Sequence, residues 1–236
     1  MKSPEVRTVR AAVEFRASGG VGTLVGYAAK FNKTSRNLGG FVEEVAPAAF
    51  NKSLADGVRV MARYNHDDMG LLGTSDAGTL RMTVDGTGLL YEVDLPDTTV
   101  GRDCAVLAQR GDLRFSSFAF HVLEDEWGLT ANEFPMRTLR SVQLVDVAPV
   151  NDPAYLDTSS GLRMFASARG LDLAEVRAAA DRNDLRALLK KNLDAAPVED
   201  TPQTPIPATD EIRAGLDERR ARLRALALAA GSANRT

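Results

Sequence analysis

Ser116 and Ser117 lie inside an aromatic run, RFSSFAF at 114–120, that alternates like a β-strand. Successive side chains of a strand point to opposite faces, so the two serines fall on different faces and only one can meet a given partner. A serine hydroxyl becomes a nucleophile when an imidazole takes its proton and a carboxylate orients that imidazole. The stretch therefore predicts either a nucleophilic serine or a barrel strand that tolerates two small hydroxyls.

An imidazole base must be His66 or His121, since the chain contains two histidines. His66 follows VRVMARYN, where alternation from Val58 places it at the end of a strand on the side of the apolar residues. His121 is the weaker candidate, because four residues of strand separate it from Ser117 by about 13 Å. We therefore expect His66 to be the base if a serine reacts.

The candidate acid is Asp146 in RSVQLVDVAPV, which alternation places on one strand face with Val142 and Leu144. A carboxylate on an apolar face is costly unless a partner compensates it. Ser117, His66 and Asp146 are thus expected on the apolar-side faces of three strands, and they are the residue types of a nucleophile, base and orienting acid. The spacing alone is also compatible with three unrelated polar residues.

A metal site is the other chemical reading of this region, because Asp67 and Asp68 follow His66. Three consecutive side chains cannot all point at one ion without a distorted loop, so solvated turn acids are favoured. The single cysteine, Cys104, excludes an intrachain disulfide and a thiolate cage, which indicates a reducing compartment. We expect no cofactor and no structural metal.

Composition limits the class of protein. The 236 residues carry a net charge of −3, which argues against a protein that coats nucleic acid. The N-terminus lacks a signal-peptide core, and no stretch approaches the roughly 20 apolar residues of a membrane span. We expect a soluble protein that is not exported by the usual route.

The elements that must position these residues are mainly strands. From residue 7 to about 150, six or seven short alternating segments are separated by Gly, Asp and Asn turns, which predicts an antiparallel barrel or sandwich. Two insertions, at 46–57 and 99–112, have helical patterns. Asp172 and Glu175 form a capping pair for a helix to around Leu193. A proline-rich linker at 196–209 and a basic amphipathic helix at 210–236 follow, so we divide the chain into 1–160, a helical extension at 161–195, the linker and the last helix.

Residues 23–155 contain six motifs in this order: GYAAKFN, FVEEVAPAAF, YNHD, LLGTSDAGTLRMTVDGTGLLYEVDLPDT, RGDLRFSSFAF and LRSVQLVDVAPVNDPAY. In sequence and order these motifs resemble those of the prohead proteases of tailed phages, the serine peptidases that mature procapsids. The family pattern Gly-Asp-hydrophobic-x-Gly-Met-Ser-Phe-Gly-Phe, laid on residues 111–120, implies that Ser117 is the nucleophile. The resemblance likewise implies His66 as general base and Asp146 as third member, with Asp152 as the alternative acid.

The resemblance also implies a fold and a biology. The fold is expected to be a herpesvirus-assemblin-like antiparallel β-barrel with flanking helices. The activity is expected to be a serine endopeptidase, located in the host cytoplasm inside the assembling procapsid. It would cleave the scaffold, the major capsid protein and itself, and it would self-associate without membrane or specific nucleic-acid partners. The competing hypotheses are a non-catalytic assembly protein that keeps this fold and, more weakly, a metal-dependent hydrolase on His66 and Asp67.

The sequence departs from the family pattern at two places. Phe115 and Ser116 stand where the family has Gly-Met, and Ala119 stands where the family has a glycine. If that glycine needs a positive φ, Ala119 would strain the backbone by about 1 kcal/mol or more. Lower activity would then be expected.

Overall fold

The structure, a computed structural model, describes residues 4–17, 19–152 and 158–193. The strands are β1 Glu5–Val9, β2 Glu14–Arg16, β3 Thr23–Lys30, β4 Val42–Val45, β5 Met61–Arg63, β6 Leu71–Thr74, β7 Leu80–Val84, β8 Gly88–Asp94, β9 Phe115–Leu129 and β10 Pro135–Val150. The helices are α1 Asn51–Ala55, α2 Thr99–Gln109, α3 Thr158–Arg169, α4 Leu173–Asp181 and α5 Leu185–Leu193. The expected mainly-β class with flanking helices is confirmed, and α1 and α2 lie inside the two predicted helical insertions.

The strands form two sheets, one of which is built on the 16-residue strand β10. One sheet has the order β1-β9-β10-β5-β6, with β4 also paired to β10, and the other has the order β2-β3-β8-β7. The second sheet is antiparallel, but β4 and β5 run parallel to β10, so the first sheet is mixed rather than purely antiparallel. Among the described residues the pairing does not close these sheets into the predicted barrel. The long β10 instead offers one edge to two short strands in succession.

The main core lies on one face of β9. Phe118 and Phe120 stack with ring centroids 4.9 Å apart, and Phe50 meets Phe118 edge-on at 5.5 Å. Tyr91 and Leu89 of β8 belong to the same buried cluster. We call this the core face, and we call the face that carries Ser117 the outer face. The alternation predicted for RFSSFAF is confirmed.

A second core joins the C-terminal helices to the first sheet. Trp127 lies between Phe41 and Phe165, with centroid distances of 4.9 and 4.8 Å. Residues 1–195 accordingly form one compact unit. A chain that ended near residue 160 would lose the helices that cover Trp127. No helix in the described ranges is long and apolar enough to cross a membrane.

The predicted helix cap is present, but the predicted helix is interrupted. The Asp172 side chain accepts a hydrogen bond from the Glu175 amide at 3.4 Å. The single helix expected to reach around Leu193 is wrong, because α4 ends at Asp181 and α5 begins at Leu185. Asn183 between them adopts a φ of 54°, a left-handed conformation that no α-helix continues through. The linker and last helix predicted at 196–236 lie outside the described residues.

Five charged side chains form a buried ionic cluster that holds β1 against β4, β9 and β10. Arg7 contacts Glu43 and Glu5, each at 2.7 Å, and Arg137 contacts Glu5 at 2.9 Å, Glu43 at 3.0 Å and Asp125 at 2.7 Å. Burial alone would raise the pKa of Glu5, but the hydrogen bond and charge of Arg137, joined by Arg7, outweigh it and lower that pKa. Glu5 therefore stays ionised near neutral pH.

Candidate active site

Ser117 lies on the outer face of β9 and is fully buried. Its Oγ is 2.7 Å from His66 Nε2 and 3.0 Å from the Arg7 carbonyl oxygen, and it accepts a hydrogen bond from Thr8 Oγ1 at 3.3 Å. Thr8 is the residue directly opposite Ser117 on β1. One hydroxyl proton thus faces two acceptors, the imidazole and a backbone carbonyl.

His66 sits on a turn rather than at a strand end. β5 ends at Arg63, and residues 64–66 form a 3-10 turn in which Asn65 and His66 have φ values of 54° and 60°. Left-handed conformations are unfavourable for residues other than glycine and persist where their surroundings hold them. Here Asn65 Oδ1 accepts from the Asn151 amide at 3.0 Å, and Tyr64 Oη donates to Asn151 Oδ1 at 2.6 Å. The predicted position of His66 on the apolar side of a strand is wrong, because this turn redirects the chain.

Asp146 reaches His66 because of a bulge in β10. Leu144 opposes Phe120 and Asp146 opposes Ala119, so two steps along β10 match one step along β9, and Val145 is the extra residue. Leu144 therefore points to the core face, while Asp146 points to the outer face. The prediction that these two residues share an apolar face is wrong. The Asp146 side chain is buried, and its Oδ1 lies 2.6 Å from His66 Nδ1.

Arg63 completes the group and was missed in the sequence. Its Nη1 is 3.3 Å from Asp146 Oδ2 and 2.9 Å from Asp68 Oδ1. Arg63 is largely buried and contributes a fixed positive charge beside the Asp146 carboxylate. The sequence contains a signal for Arg63. Alternation along the strand places Arg63 on the face away from the apolar Ala62, and Ser117, His66 and Asp146 meet on that face.

Ser116 occupies a different environment from its neighbour. Its Oγ lies 3.1 Å from Tyr91 Oη inside the main core, on the face away from His66. A side chain on Gly26 would approach Ser116 Oγ to 2.9 Å, so the pocket around this hydroxyl is tight. Ser116 is thus a satisfied core polar residue, as the bland interpretation of the RFSSFAF strand expected for both serines.

The alternative candidates lie apart from this group. Asp152 is exposed and makes no hydrogen bond within the described part of the chain, whereas Asp146 contacts the imidazole. His121 opposes Gln143 farther along β9. Asp67 accepts from the Met69 amide at 2.9 Å. Between residues 4 and 193, leaving out those not described, no three His, Cys, Asp or Glu side chains are grouped to hold a metal ion.

The expected strain at Ala119 is absent. Ala119 lies within the paired part of β9 and is not among the residues with positive φ. An alanine therefore fits this position at no backbone cost. The arrangement Asp146–His66–Ser117 has the distances needed to move a proton from the hydroxyl to the imidazole and to stabilise the resulting imidazolium.

A family model described as the caudovirus prohead serine protease matches residues 8–171. The chain belongs to this family. This match confirms the family assignment made from the motifs. The matched range contains Ser117, His66 and Asp146. No curated protein matches the chain. Among solved structures, the capsid assembly protease of bacteriophage T4 is similar, with 11% sequence identity and a TM-score of 0.42 over 63% of this chain and 99% of that one.

Proposed function

We propose that this prohead protease family member is an active serine endopeptidase in which Ser117 is the nucleophile, His66 the general base and Asp146 the orienting acid. The observation that carries the proposal is the continuous hydrogen-bonded chain on the outer face, 2.6 Å from Asp146 to His66 and 2.7 Å from His66 to Ser117. Because a carboxylate accepts hydrogen bonds, Asp146 favours the tautomer with the proton on His66 Nδ1. That tautomer leaves Nε2 free to accept the Ser117 proton, as base catalysis requires.

The reaction follows from these contacts. Ser117 Oγ attacks the carbonyl carbon of the scissile peptide bond as its proton passes to His66 Nε2, and a tetrahedral oxyanion forms. The imidazolium then donates that proton to the leaving amine, the C–N bond breaks, and an acyl-enzyme ester remains. A water molecule then attacks the ester carbonyl as its proton passes to His66. The imidazolium returns that proton to Ser117 Oγ as the ester C–O bond breaks, which releases the new carboxyl terminus and restores the hydroxyl. Asp146 stabilises the imidazolium in both half-reactions.

Arg7 and Thr8 control the starting state of the hydroxyl. Ser117 can donate its proton to the Arg7 carbonyl or to His66, but not fully to both. Only the second hydrogen bond leads to a nucleophile. A substrate that enters the site must therefore favour the Ser117–His66 bond and expose the buried hydroxyl on the outer face.

The substrates follow from the family. We propose the scaffold, the major capsid protein and the protease itself, cleaved inside the assembling procapsid in the host cell, with self-association of the protease during assembly. Mass spectrometry of all new termini after co-expression with the major capsid protein would identify the cleaved bonds. New termini that are lost in Ser117→Ala would support these substrates.

A fluorophosphonate probe tests the proposed activity directly, because it phosphonylates a serine only where a base activates it. Peptide mapping should locate the label on Ser117 in the wild type and in Ser116→Ala, and on neither serine in Ser117→Ala. If a sample that assembles with capsid protein takes no label at Ser117, the chain is a non-catalytic assembly protein. Loss of labelling upon chelation would favour the metal-dependent alternative instead.

A further inference from the structure

A cavity of about 610 Å³ opens beside β1, next to the proposed active site, and extends to Phe118 of β9 and Val45 of β4. Arg7, Thr8, Val9 and Arg10 form one wall, and the segment from Lys33 to Arg36 after β3 contributes to the other. β1 is the end strand of its sheet, and among the residues that the structure describes it pairs only with β9. A further extended segment could therefore be added to the other side of β1, and the four successive residues 7–10 would connect such a segment to the cavity.

The wall of this cavity is strongly basic. Arg10, Lys30, Lys33 and Arg36 line it and form no ion pair with any residue that the structure describes. The one acidic residue of the lining, Glu43, is already bound by Arg7 and Arg137 in the buried ionic cluster. Four uncompensated cations in one cleft oppose the net charge of −3 of the whole chain. Such a cleft attracts anionic groups.

The cavity is coupled to Ser117 through β1. Thr8 lines it and donates a hydrogen bond to Ser117 Oγ, and Phe115 lines it two residues before Ser117. Adjacent strands are about 4.8 Å apart, so a segment on the free edge of β1 would run about 10 Å from β9. About three residues of extended chain span that distance. The cavity therefore suits residues that flank the cleaved bond, not the bond itself.

We propose that this basic cavity binds acidic side chains of an extended substrate segment, about three or more residues from the bond that Ser117 cleaves. The inference rests on the proposed peptidase function for its purpose, although the binding itself does not require cleavage. An acidic peptide is favoured over a nucleic acid, because the lining has two aromatic side chains, of which Phe118 is buried and Phe115 is half-buried, and successive bases need several exposed rings to stack on. The adjoining strand edge fits a peptide backbone.

The test measures binding to full-length Ser117→Ala, so that no cleavage intervenes. The probe is a fluorescein-labelled nonapeptide of alternating Val and Glu, compared by fluorescence anisotropy with matched peptides carrying Gln or Lys in place of Glu. We expect the Glu peptide to bind at least tenfold more tightly than the Gln peptide, and the difference to shrink as salt is added. Equal binding of the Glu and Gln peptides would overturn the proposal.

Charge reversal locates the binding. Lys33→Glu combined with Arg36→Glu changes two exposed residues of the cavity and should weaken the Glu peptide by at least tenfold. The control is Arg177→Glu on α4, an exposed arginine outside the cavity, which should change binding by less than twofold. Equal effects of the two variants would refute a site at this cavity. If the double reversal impairs folding, as judged by its melting temperature, Lys33→Gln and Arg36→Gln provide the same comparison.

Two further outcomes separate the alternatives. If an oligothymidylate displaces the Glu peptide and binds more tightly through Lys33 and Arg36, the cavity is a nucleic-acid site and the proposal fails. If the Glu peptide binds as expected but the fluorophosphonate does not label Ser117 in the wild type, the cavity recognises acidic segments while the proposed peptidase function fails.

Discussion

The core face and the outer face of β9 each bury a serine, and they satisfy it in opposite ways. On the core face, Ser116 has one close partner, Tyr91 Oη at 3.1 Å, and the strand continues toward the ionic cluster, where each charge has opposite charges around it. On the outer face, the Ser117 hydroxyl has one proton and two acceptors within 3.0 Å. The first arrangement pairs one hydroxyl with another, and the second places a hydroxyl proton between a backbone carbonyl and an imidazole that can take it.

The difference shows how a single strand can hold structure and chemistry together. Buried polar groups stabilise a fold when donors and acceptors are matched in number. A proton can be transferred when a base lies within hydrogen-bond distance of the atom that carries it. β9 separates these conditions by alternation alone, because neighbouring residues cannot share an environment.

Replacing each serine in turn is the sharpest way to break this comparison. We expect Ser117→Ala to reduce cleavage of the major capsid protein by four to six orders of magnitude, as loss of a nucleophile does. Ser116→Ala should retain cleavage within about tenfold. It should lower the free energy of unfolding by about 1–3 kcal/mol, because the buried Tyr91 hydroxyl loses its partner. If Ser116→Ala were inactive and Ser117→Ala active, Ser116 on the core face would be the nucleophile instead.

The carboxylate on the outer face should be the next most sensitive group. We expect Asp146→Asn to fold and to slow cleavage by a factor of about 10²–10⁴, because an amide orients the imidazole differently and cannot stabilise its charge. Asp152→Asn is the matched control and should change the rate by less than about threefold. The initial rate on a fixed substrate peptide would be measured for both. A slow Asp152→Asn with a normal Asp146→Asn would transfer the role to Asp152.

On the core face, the largest effect should be on stability. Arg137→Met leaves Asp125 without its cation and leaves Glu5 and Glu43 to share Arg7, and we expect it to cost about 3–5 kcal/mol of unfolding free energy in urea. Arg140→Met removes an exposed ion pair from the same strand and should cost less than about 1 kcal/mol. Similar losses of unfolding free energy in Arg137→Met and Arg140→Met would mean that the buried ionic cluster stabilises the fold no more than an exposed ion pair does.

The lowered pKa of Glu5 sets the direction of the acid sensitivity of this cluster. A carboxylate whose pKa is lower in the folded state adds stability above its unfolded value and loses it as the pH falls through the folded value. The unfolding free energy should therefore decline on acidification, and more steeply than in Glu5→Gln.

Arg63 should have a smaller, mechanistic effect. We expect Arg63→Gln to lower kcat by about tenfold with little change in KM, because the Asp146 carboxylate loses the cation that holds it in place beside His66. Arg63→Lys should restore much of the rate. A rise in KM with an unchanged kcat, or no rescue by Arg63→Lys, would contradict this positioning role.

Cys104 should not react with an alkylating reagent in the folded protein, so it serves as the reference for a core that stays closed. Burial, with a contribution from Asp103, raises the pKa of the thiol to about 12, so at pH 8 the thiol stays protonated and shielded. Iodoacetamide should leave Cys104 unmodified in the folded protein and alkylate it in urea. Rapid alkylation under native conditions would indicate that the core around α2 opens readily.

The sequence predicts the composition of the site better than its geometry. Alternation correctly separates Ser116 from Ser117, and the family motifs select His66 and Asp146, which the structure brings together with Ser117. The faces of His66 and Asp146 were nevertheless predicted wrongly, because a left-handed turn and a one-residue bulge both interrupt the period of a strand. Neither leaves a mark on hydropathy. The left-handed residue Asn183 likewise leaves no mark on hydropathy. It ends the helix whose start the Asp172–Glu175 capping pair predicts correctly.

Val145, the extra residue of the bulge, decides which face of β10 carries Asp146. If β10 paired regularly with β9 through Val145, the chain would keep every polar residue of the site and still direct Asp146 into the main core, whereas a chain that lacked Val145 would keep Asp146 opposite Ala119 on the outer face. A change that abolishes the bulge without removing a residue would thus be more damaging than most substitutions. When relatives of this protease are aligned, the spacing between the candidate acid and the bulge is as informative as the identity of the acid itself.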